Sequence, residues 1–380
     1  MEIESGKITD QGSETEEILI LTPLNMLREG ILLPHDIYDI NKETVLLYKD
    51  EMLDSNRLSK LKSYCLSADE DSVNISVQTY RLMMEKYLSC KISDPIALEA
   101  ASEYPDMLIG IMSMISQVKL NKAIFHDTVG ELSEIIMKGL ENMSPGDILD
   151  LVNIPAPAET YFLRHTINVA FLSGLIGKWM GLSAGDVNFL SLVGLLHDCG
   201  KIALPDSIIM APRPLTYVEF EIVKMHSVYG YELLSDYSDG VKYGVRDHHE
   251  NLDAEGYPDG ISGGSISLAA RVVSIADVYT AIVADRPWRA ALSPFHALSH
   301  LEAFAGIKFD AEIAEVFRDN VLKELKGKPV QLSDGTVGVV AEIDLKGLEY
   351  PYIRMAGPGS EIIKSHRELF CEGIYFGPMI

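Results

Sequence analysis

Cysteine is scarce in this sequence, and the few cysteines are far apart. The 380 residues contain four, Cys65, Cys90, Cys199 and Cys371, and no CxxC pair occurs among them. This spacing excludes a disulfide framework and a zinc knuckle. A reducing compartment is the simplest setting, so we expect a cytoplasmic protein.

Long hydrophobic runs are also missing. The longest apolar stretches, such as residues 187–196, are interrupted and fall short of the roughly 18 residues that a membrane-spanning helix needs. Residues 1–17 are acidic and polar, and they have neither the basic start nor the apolar core of a secretory signal. We expect no membrane span and no signal peptide, and we expect residues 1–17 to form a disordered leader.

Positive charge is in short supply. Lysine and arginine total 32 against 56 aspartate and glutamate residues, which gives a formal net charge of -24. An acidic surface of this kind is repelled by the nucleic-acid backbone, so duplex nucleic acid is excluded as a partner. An anionic substrate would need a local positive centre made by metal ions or by a few arginines. The acidity can also serve solubility alone.

The pattern of apolar residues changes along the chain and predicts a mainly α protein with small β-rich units at both ends. Residues 18–50 alternate short apolar runs with Gly, Pro and Asn, which is typical of strands. From about residue 54 the pattern is helical. Residues 329–340 predict a hairpin around a Ser333-Asp334-Gly335 turn, and residues 350–355 predict a further strand. We expect four segments, with bounds 1–70, 71–145, 146–325 and 326–380.

The helical region contains recognisable start and stop signals. The apolar spacing after Asp186 predicts a helix, and Gly200 stands where its C-terminal cap is expected. Thr216 and Glu219 form a capping-box pattern, which predicts the start of a helix that continues through His226.

Histidine placement is the most informative feature of the sequence. Of ten histidines, five fall on predicted helical stretches of one region: His165, His197, His226, His248 and His249. Asp198 follows His197, and Asp277 lies in an apolar helical stretch where an unpaired carboxylate would be costly. One such histidine is usually a structural residue, but five with two aspartates favour a metal centre. Imidazole and carboxylate groups suit divalent iron, manganese or zinc.

Three motifs in this region resemble those of a known family. Residues 196–201, LHDCGK, resemble the HDxGK signature of the HD phosphohydrolase superfamily. Residues 248–258, HHENLDAEGYP, resemble the HHExxDGxGYP signature of the HD-GYP family. Residues 276–279 and 285–289, ADVY and DRPWR, are similar to its AD…RPYR block. The resemblance covers about residues 146–323, and the motifs occur in the family's order.

The resemblance implies a fold and an activity. HD-GYP proteins are bacterial phosphodiesterases that hydrolyse cyclic di-GMP to pGpG or to GMP, using hydroxide activated by two metal ions. We therefore expect residues 146–325 to form an HD-GYP catalytic domain, a helix bundle of the HD superfamily. The implied substrate is cyclic di-GMP or a related cyclic dinucleotide.

The resemblance also implies roles for individual residues. Seven residues would bind the metals: His165, His197, Asp198, His226, His248, His249 and Asp277. Asp198 would bridge two ions, and Lys201 would contact the phosphate or the attacking hydroxide. Four residues would hold the cyclic dinucleotide: Gly256, Tyr257, Arg286 and Arg289. The simpler alternatives are that Tyr257 only packs its loop and that the two arginines form surface ion pairs.

The sequence departs from the family pattern at several positions. Ala254 stands where the family has glycine, which would cost about 1 kcal/mol if the position needs a positive φ. Thr280 replaces an aspartate, so we expect a polar contact to be missing, and Trp288 replaces a tyrosine. Tyr161 stands where some members carry a glutamate that helps hold a third metal. We therefore expect two ions, iron or manganese. Glu250 is expected to be a carboxylate that orients a neighbouring histidine or has a structural role, and not a metal ligand.

Two further functions stay open at this point. The domain could bind cyclic di-GMP and signal through a protein partner without hydrolysis. It could also act on another nucleotide such as cyclic GMP-AMP, since the GYP loop does not separate the two cyclic dinucleotides. The sequence leaves open the metal, the final product, the roles of the flanking units and whether the chain forms a homodimer.

Overall fold

The computed structural model describes residues 19–23, 27, 30–39, 41–67, 72–91, 102–121, 124, 126–153, 161–209, 211, 213–285, 289–356 and 361–374. The expected leader, Arg286 and Trp288 lie outside the described residues. The chain divides into two compact units, residues 1–83 and residues 84–380. The segment bounds expected at residues 70, 145 and 325 remain predictions.

The first unit is rich in short strands. Its elements, in chain order, are β1 Leu19–Pro23, β2 Ile31–Leu32, β3 Ile37–Tyr38, β4 Val45–Leu47, β5 Met52–Leu53, α1 Ser55–Ser67, β6 Ser72–Ser76 and the start of α2 Val77–Lys91. One antiparallel sheet has the strand order β1-β6-β3-β4, and β2 pairs with β5. The expected β-rich unit near the N-terminus is confirmed.

Strand β6 differs from the helical pattern expected after residue 54. Its sequence, Ser-Val-Asn-Ile-Ser, alternates polar and apolar residues, and Val73 and Ile75 are buried. The alternation is only five residues long and lies between two helices, so the helical pattern around it hides it. Pairing with β1, in which Ile75 faces Ile20, supplies the partner that a strand needs.

The second unit is mainly α-helical, as expected. Its helices are α3 Tyr104–Asn121, α4 His126–Asn142, α5 Pro145–Asn153, α6 Tyr161–Trp179, α7 Ala184–Leu196, α8 Asp206–Ile209, α9 Tyr217–Lys224, α10 His226–Leu233, α11 Asp239–Arg246, α12 Leu268–Val283, α13 Pro294–Ala303 and α14 Ala311–Leu325. Short 3-10 turns lie at Cys199–Ala203, Gly263–Ser265 and Leu345–Gly347.

Helix α6 is the centre of this unit. Every residue from Leu163 to Gly177 is buried, and the helix packs against α3, α4, α5, α7, α12 and α14. A helix that is buried on all sides belongs to the core, here together with the polar residues that it carries. His165 lies on this helix, so its imidazole is held among packed helices.

Helix α7 ends before the expected position. Its last residue is Leu196, and the chain then tightens into the 3-10 turn that contains Gly200, so Gly200 is not a helix cap. The turn begins with a hydrogen bond from Lys201 N to Asp198 O of 2.9 Å. It places Asp198 and Lys201 next to each other.

The capping box at Thr216 and Glu219 is confirmed, with both of its reciprocal hydrogen bonds present. The helix that it opens, α9, ends at Lys224, and α10 begins at His226. The reason is local: the His226 ring donates to Val223 O, which a continuous helix would offer to the backbone of Ser227. The single helix that was expected to continue through His226 is therefore two helices that meet at Met225.

The chain continues after α14 into a five-stranded antiparallel sheet. Its strands are β7 Pro329–Leu332, β8 Val337–Glu342, β9 Tyr352–Met355, β10 Ile362–Lys364 and β11 Cys371–Ile374, in the order β10-β9-β8-β7-β11. The expected hairpin is β7–β8, and the expected further strand is β9. Among the helices of the described ranges, none is long and apolar enough to cross a membrane.

Candidate metal centre

The seven residues predicted as metal ligands lie side by side in the second unit. The donor atoms of six of them form two groups, and within each group all of the atoms lie within 4.8 Å of one another. One group is Asp198, His226, His248 and His249, and the other is His165, His197 and Asp198. Asp198 belongs to both. Asp277 borders both, with Oδ1 2.9 Å from His165 Nε2 and Oδ2 3.8 Å from His249 Nδ1.

Five helical segments supply these side chains. His165 lies within α6 and Asp277 within α12. The other five lie at helix ends, in agreement with the helical stretches expected for the histidines: His226 begins α10, His197 and Asp198 follow α7, and His248 and His249 follow α11. Helix ends project polar side chains from a packed core without breaking a helix interior.

Three of the histidines are oriented by the main chain. Each ring has its Nδ1 within hydrogen-bond distance of the carbonyl three residues earlier. The distances are 2.7 Å for His197 to Gly194 O, 2.6 Å for His226 to Val223 O and 2.6 Å for His248 to Val245 O. A carbonyl only accepts, so Nδ1 carries the proton and Nε2 keeps its lone pair for a metal. These carbonyls have no side-chain signature, so the sequence does not reveal them.

His165 is oriented by a side chain instead. Thr280 Oγ1 lies 3.0 Å from His165 Nδ1 and 2.9 Å from Asp277 O. The hydroxyl donates to the carbonyl and therefore accepts from the ring nitrogen. The polar contact expected to be missing at residue 280 is present. Tyr161 stacks on the same ring, with centroids 5.1 Å apart and planes at 19°.

The cluster favours neutral imidazoles and ionised carboxylates. Burial lowers the pKa of His226 to about 3 and that of His249 to about 4, and it also lowers the pKa of His165 and His248. Burial opposes ionisation of Asp198 and Asp277, but adjacent histidines hold the pKa of both carboxyls well below the usual range, with Lys201 assisting at Asp198.

His197 is the exception, because contact with Asp198 raises its pKa although burial opposes this.

Asp198 shows that the donor set fits a divalent cation. Its side chain is 1% exposed. Oδ2 accepts a hydrogen bond of 2.6 Å from Lys201 Nζ, whereas Oδ1 makes no hydrogen bond within the described part of the chain. An unsatisfied buried carboxylate oxygen is costly, and a cation between Oδ1 and the neighbouring imidazoles would remove that cost.

Gly200 allows the Asp198 turn to lie against helix α10. A Cβ atom at this position would lie 1.9 Å from His226 O and 2.4 Å from Gly230 N, which no side chain could tolerate. The glycine therefore brings Asp198 and His226 together. Its role in the motif is close packing between two backbones.

The loop after His249 is shaped by backbone contacts. Glu250 has the structural role that was one of its two expected roles: its Oε1 accepts hydrogen bonds from Asp259 N at 2.7 Å and Gly260 N at 3.0 Å. A Cβ on Gly256 would lie 2.5 Å from His249 O, so this glycine permits the loop to fold back. Ala254 has a φ of 64°, the strained conformation considered from the sequence.

A cavity of about 610 Å³ opens onto the cluster. Of the residues predicted to contact substrate or phosphate, Lys201, Tyr257 and Arg289 line it. The Arg289 guanidinium donates to Ala281 O at 2.6 Å and to Ile282 O at 3.1 Å, near the end of α12. Phe220, His296 and His300 also line the cavity and were not predicted. These residues lie on helices, and the spacing of apolar residues along a helix does not show which of its side chains line a cavity.

Comparison with known proteins identifies the class of domain. Residues 153–313 match the family model described as HD domain. Over 154 residues the chain is 41% identical to the cyclic di-GMP phosphodiesterase response regulator RpfG of Xanthomonas campestris pv. campestris. The matched residues make up 39% of this chain and 40% of that protein. Over 154 residues it is 34% identical to the 3'3'-cGAMP-specific phosphodiesterase 3 of Vibrio cholerae. The matched residues make up 40% of this chain and 34% of that protein. The chain thus spans two fifths or less of these relatives.

The fold is similar to that of Bd1817, an HDG"Y"P protein from Bdellovibrio bacteriovorus. The TM-score is 0.55 at 17% identity, over 80% of this chain and 100% of that one. At this identity the likeness concerns the fold alone. Residues 153–313 match the HD domain model, and the similarity to curated cyclic dinucleotide phosphodiesterases bears out the resemblance to the HD-GYP family found in the sequence.

Proposed function

We propose that this protein is a metal-dependent phosphodiesterase that hydrolyses cyclic di-GMP to pGpG, GMP or both. The observation that carries the proposal is the pair of donor groups that share Asp198 next to the cavity. Two linked groups of imidazole and carboxylate donors suit two divalent ions, and paired ions are a recurring solution for phosphodiester hydrolysis.

We assign the seven clustered residues as metal ligands, with Asp198 as the bridge. The ions would be iron or manganese, two per chain, because Tyr161 offers a poor ligand for a third. When bound, such ions supply Lewis acidity toward the phosphate and a source of hydroxide near neutral pH. Lys201, 2.6 Å from Asp198, adds a positive charge where the scissile phosphate would lie.

The cavity suits an anionic substrate larger than a single phosphate. Its volume of about 610 Å³ lies in the range of small-molecule sites. In a chain of net charge -24, the cations that line it are a local exception. We propose that Gly256, Tyr257, Arg286 and Arg289 hold the cyclic dinucleotide, with Gly256 shaping the loop that carries Tyr257. We also propose a cytoplasmic location. A homodimer and a protein partner in signalling are both compatible with the proposed activity.

The test is anaerobic purification, metal analysis and a product time course on cyclic di-GMP. We expect two ions per chain and linear products. Asp198→Ala should lose turnover and most of its metal, whereas Asp236→Ala, at an exposed position that belongs to neither donor group, should keep both. Full activity in Asp198→Ala would show that the assigned centre is wrong. Three ions per chain would contradict the two-metal assignment.

Cyclic GMP-AMP is the second candidate substrate, since one relative is named for its specificity toward that molecule. A parallel time course on both dinucleotides decides between them by the ratio of kcat/KM. Tight calorimetric binding without any product would instead favour a receptor that does not hydrolyse its ligand.

A further inference from the structure

One wall of the cavity carries a row of aromatic rings that starts at the metal cluster. Tyr257 lies over His249, with ring centroids 4.7 Å apart and planes at 33°. Phe220, on α9, meets Tyr257 edge to face, at 6.5 Å and 84°. Both Phe220 and Tyr257 line the cavity. The row therefore leads from a proposed metal ligand to the surface of α9.

Phe220 is a large apolar side chain that is exposed at the cavity. It is 44% exposed, and none of the residues of α9 is buried. The ring contacts Tyr257 and leaves apolar surface at the cavity, which a ligand could cover.

Nearby contacts hold α9 and its ring in place. Lys224 Nζ lies 5.2 Å from the centroid of Phe220 and 5.8 Å from that of Tyr257, so one ammonium group contacts both rings. Glu221 pairs with the same ammonium at 2.7 Å. The capping box and an ion pair between Arg213 and Glu219 at 2.7 Å fix the start of the helix. The wall is thus positioned before any ligand arrives.

We propose that Phe220, with Tyr257, forms the platform that binds a purine base of the substrate. A cyclic dinucleotide carries two bases, and when one phosphate lies at the cluster a base must lie against a cavity wall. Base faces stack on aromatic rings, and this contact tolerates either purine. The inference rests on the proposed function and adds to it a base-binding residue outside the HD and GYP motifs.

The experiment compares steady-state kinetics of the wild-type holoenzyme with Phe220→Leu, Phe220→Trp and the control Val218→Ala. Leucine keeps an apolar side chain but removes the ring face, and tryptophan keeps a ring. Val218 lies on the same helix, is 67% exposed and does not line the cavity. Inhibition by inorganic phosphate, which has no base, serves as a probe of the metal cluster alone.

We expect Phe220→Leu to raise the KM for cyclic di-GMP by about tenfold, as loss of one stacked base predicts, with kcat changed less than about twofold. Phe220→Trp should restore KM, and the inhibition constant of phosphate should stay unchanged in both variants. The inference is wrong if Phe220→Leu keeps the wild-type KM, if Val218→Ala matches its defect, or if phosphate inhibition weakens in parallel. Wild-type protein that hydrolyses neither cyclic dinucleotide would overturn the proposed function itself.

Discussion

Replacing Thr280 with valine removes one hydroxyl group and keeps the shape of a side chain that is 1% exposed. In the native protein that hydroxyl accepts the Nδ1 proton of His165 at 3.0 Å. Without it, the proton is better placed on Nε2, which faces Asp277 Oδ1 at 2.9 Å. The ring would then present no lone pair to a metal until the proton moved back.

The magnitude follows from two independent ranges. A buried donor left without an acceptor costs about 1–3 kcal/mol, which corresponds to roughly 5- to 150-fold in a binding constant. Loss of a group that orients a metal ligand typically weakens metal binding by about 10- to 100-fold. We therefore expect a loss of affinity of about tenfold or more at the ion that His165 is proposed to bind.

Calorimetric titration of the metal-free protein with Mn²⁺ measures this effect without relying on activity. Thr280→Ser keeps the hydroxyl and is the matched control, so it should bind close to wild type. Thermal unfolding of the metal-free variants separates a local effect from a loss of folding. Wild-type Mn²⁺ affinity in Thr280→Val, or an equal loss in Thr280→Ser, would refute the role of the hydroxyl.

Two further substitutions test the backbone of the site. Gly200→Ala introduces a Cβ 1.9 Å from His226 O, so we expect at least about tenfold weaker Mn²⁺ binding and a loss of roughly 1–3 kcal/mol in urea unfolding. Gly185→Ala, in helix α7 with the nearest atom at 3.8 Å, should leave Mn²⁺ binding unchanged and stabilise the fold by about 0.4–1 kcal/mol, and equal behaviour of the pair would contradict the packing role. Ala254→Gly relieves a left-handed residue at φ 64°, a gain of about 1–2 kcal/mol that is offset by about 0.4–1 kcal/mol of unfolded-state entropy. Urea unfolding should therefore show a net stabilisation of up to about 1.6 kcal/mol, and a destabilised variant would show that the loop tolerates alanine without strain.

The helical region was predictable because its signals are local. The Thr216 capping box depends on residues three apart, and the hairpin of β7 and β8 depends on one turn. Strand β6 was not predictable in this way, because its five residues become a strand only by pairing with β1, which lies about fifty residues earlier. Long-range pairing leaves little trace in a short window of sequence.

The same division applies to the site. The identities of the clustered residues follow from motifs in the sequence, and the structure brings all seven together. The groups that orient them do not follow, since Val223 and Val245 act through their carbonyls and any residue has a carbonyl. Phe220 was missed for a related reason: its exposure to a cavity is a property of the packing around α9.

The carbonyl partners of His197, His226 and His248 have a consequence for how this centre can change. No substitution removes a main-chain oxygen, so natural variation and laboratory selection cannot readily alter the protonation pattern of these three rings. At His165 the partner is the side chain of Thr280. Substitution of this residue can place an acidic, a neutral polar or an apolar group beside the ring. Diversification of metal preference among descendants of this protein would therefore be expected to begin at residue 280.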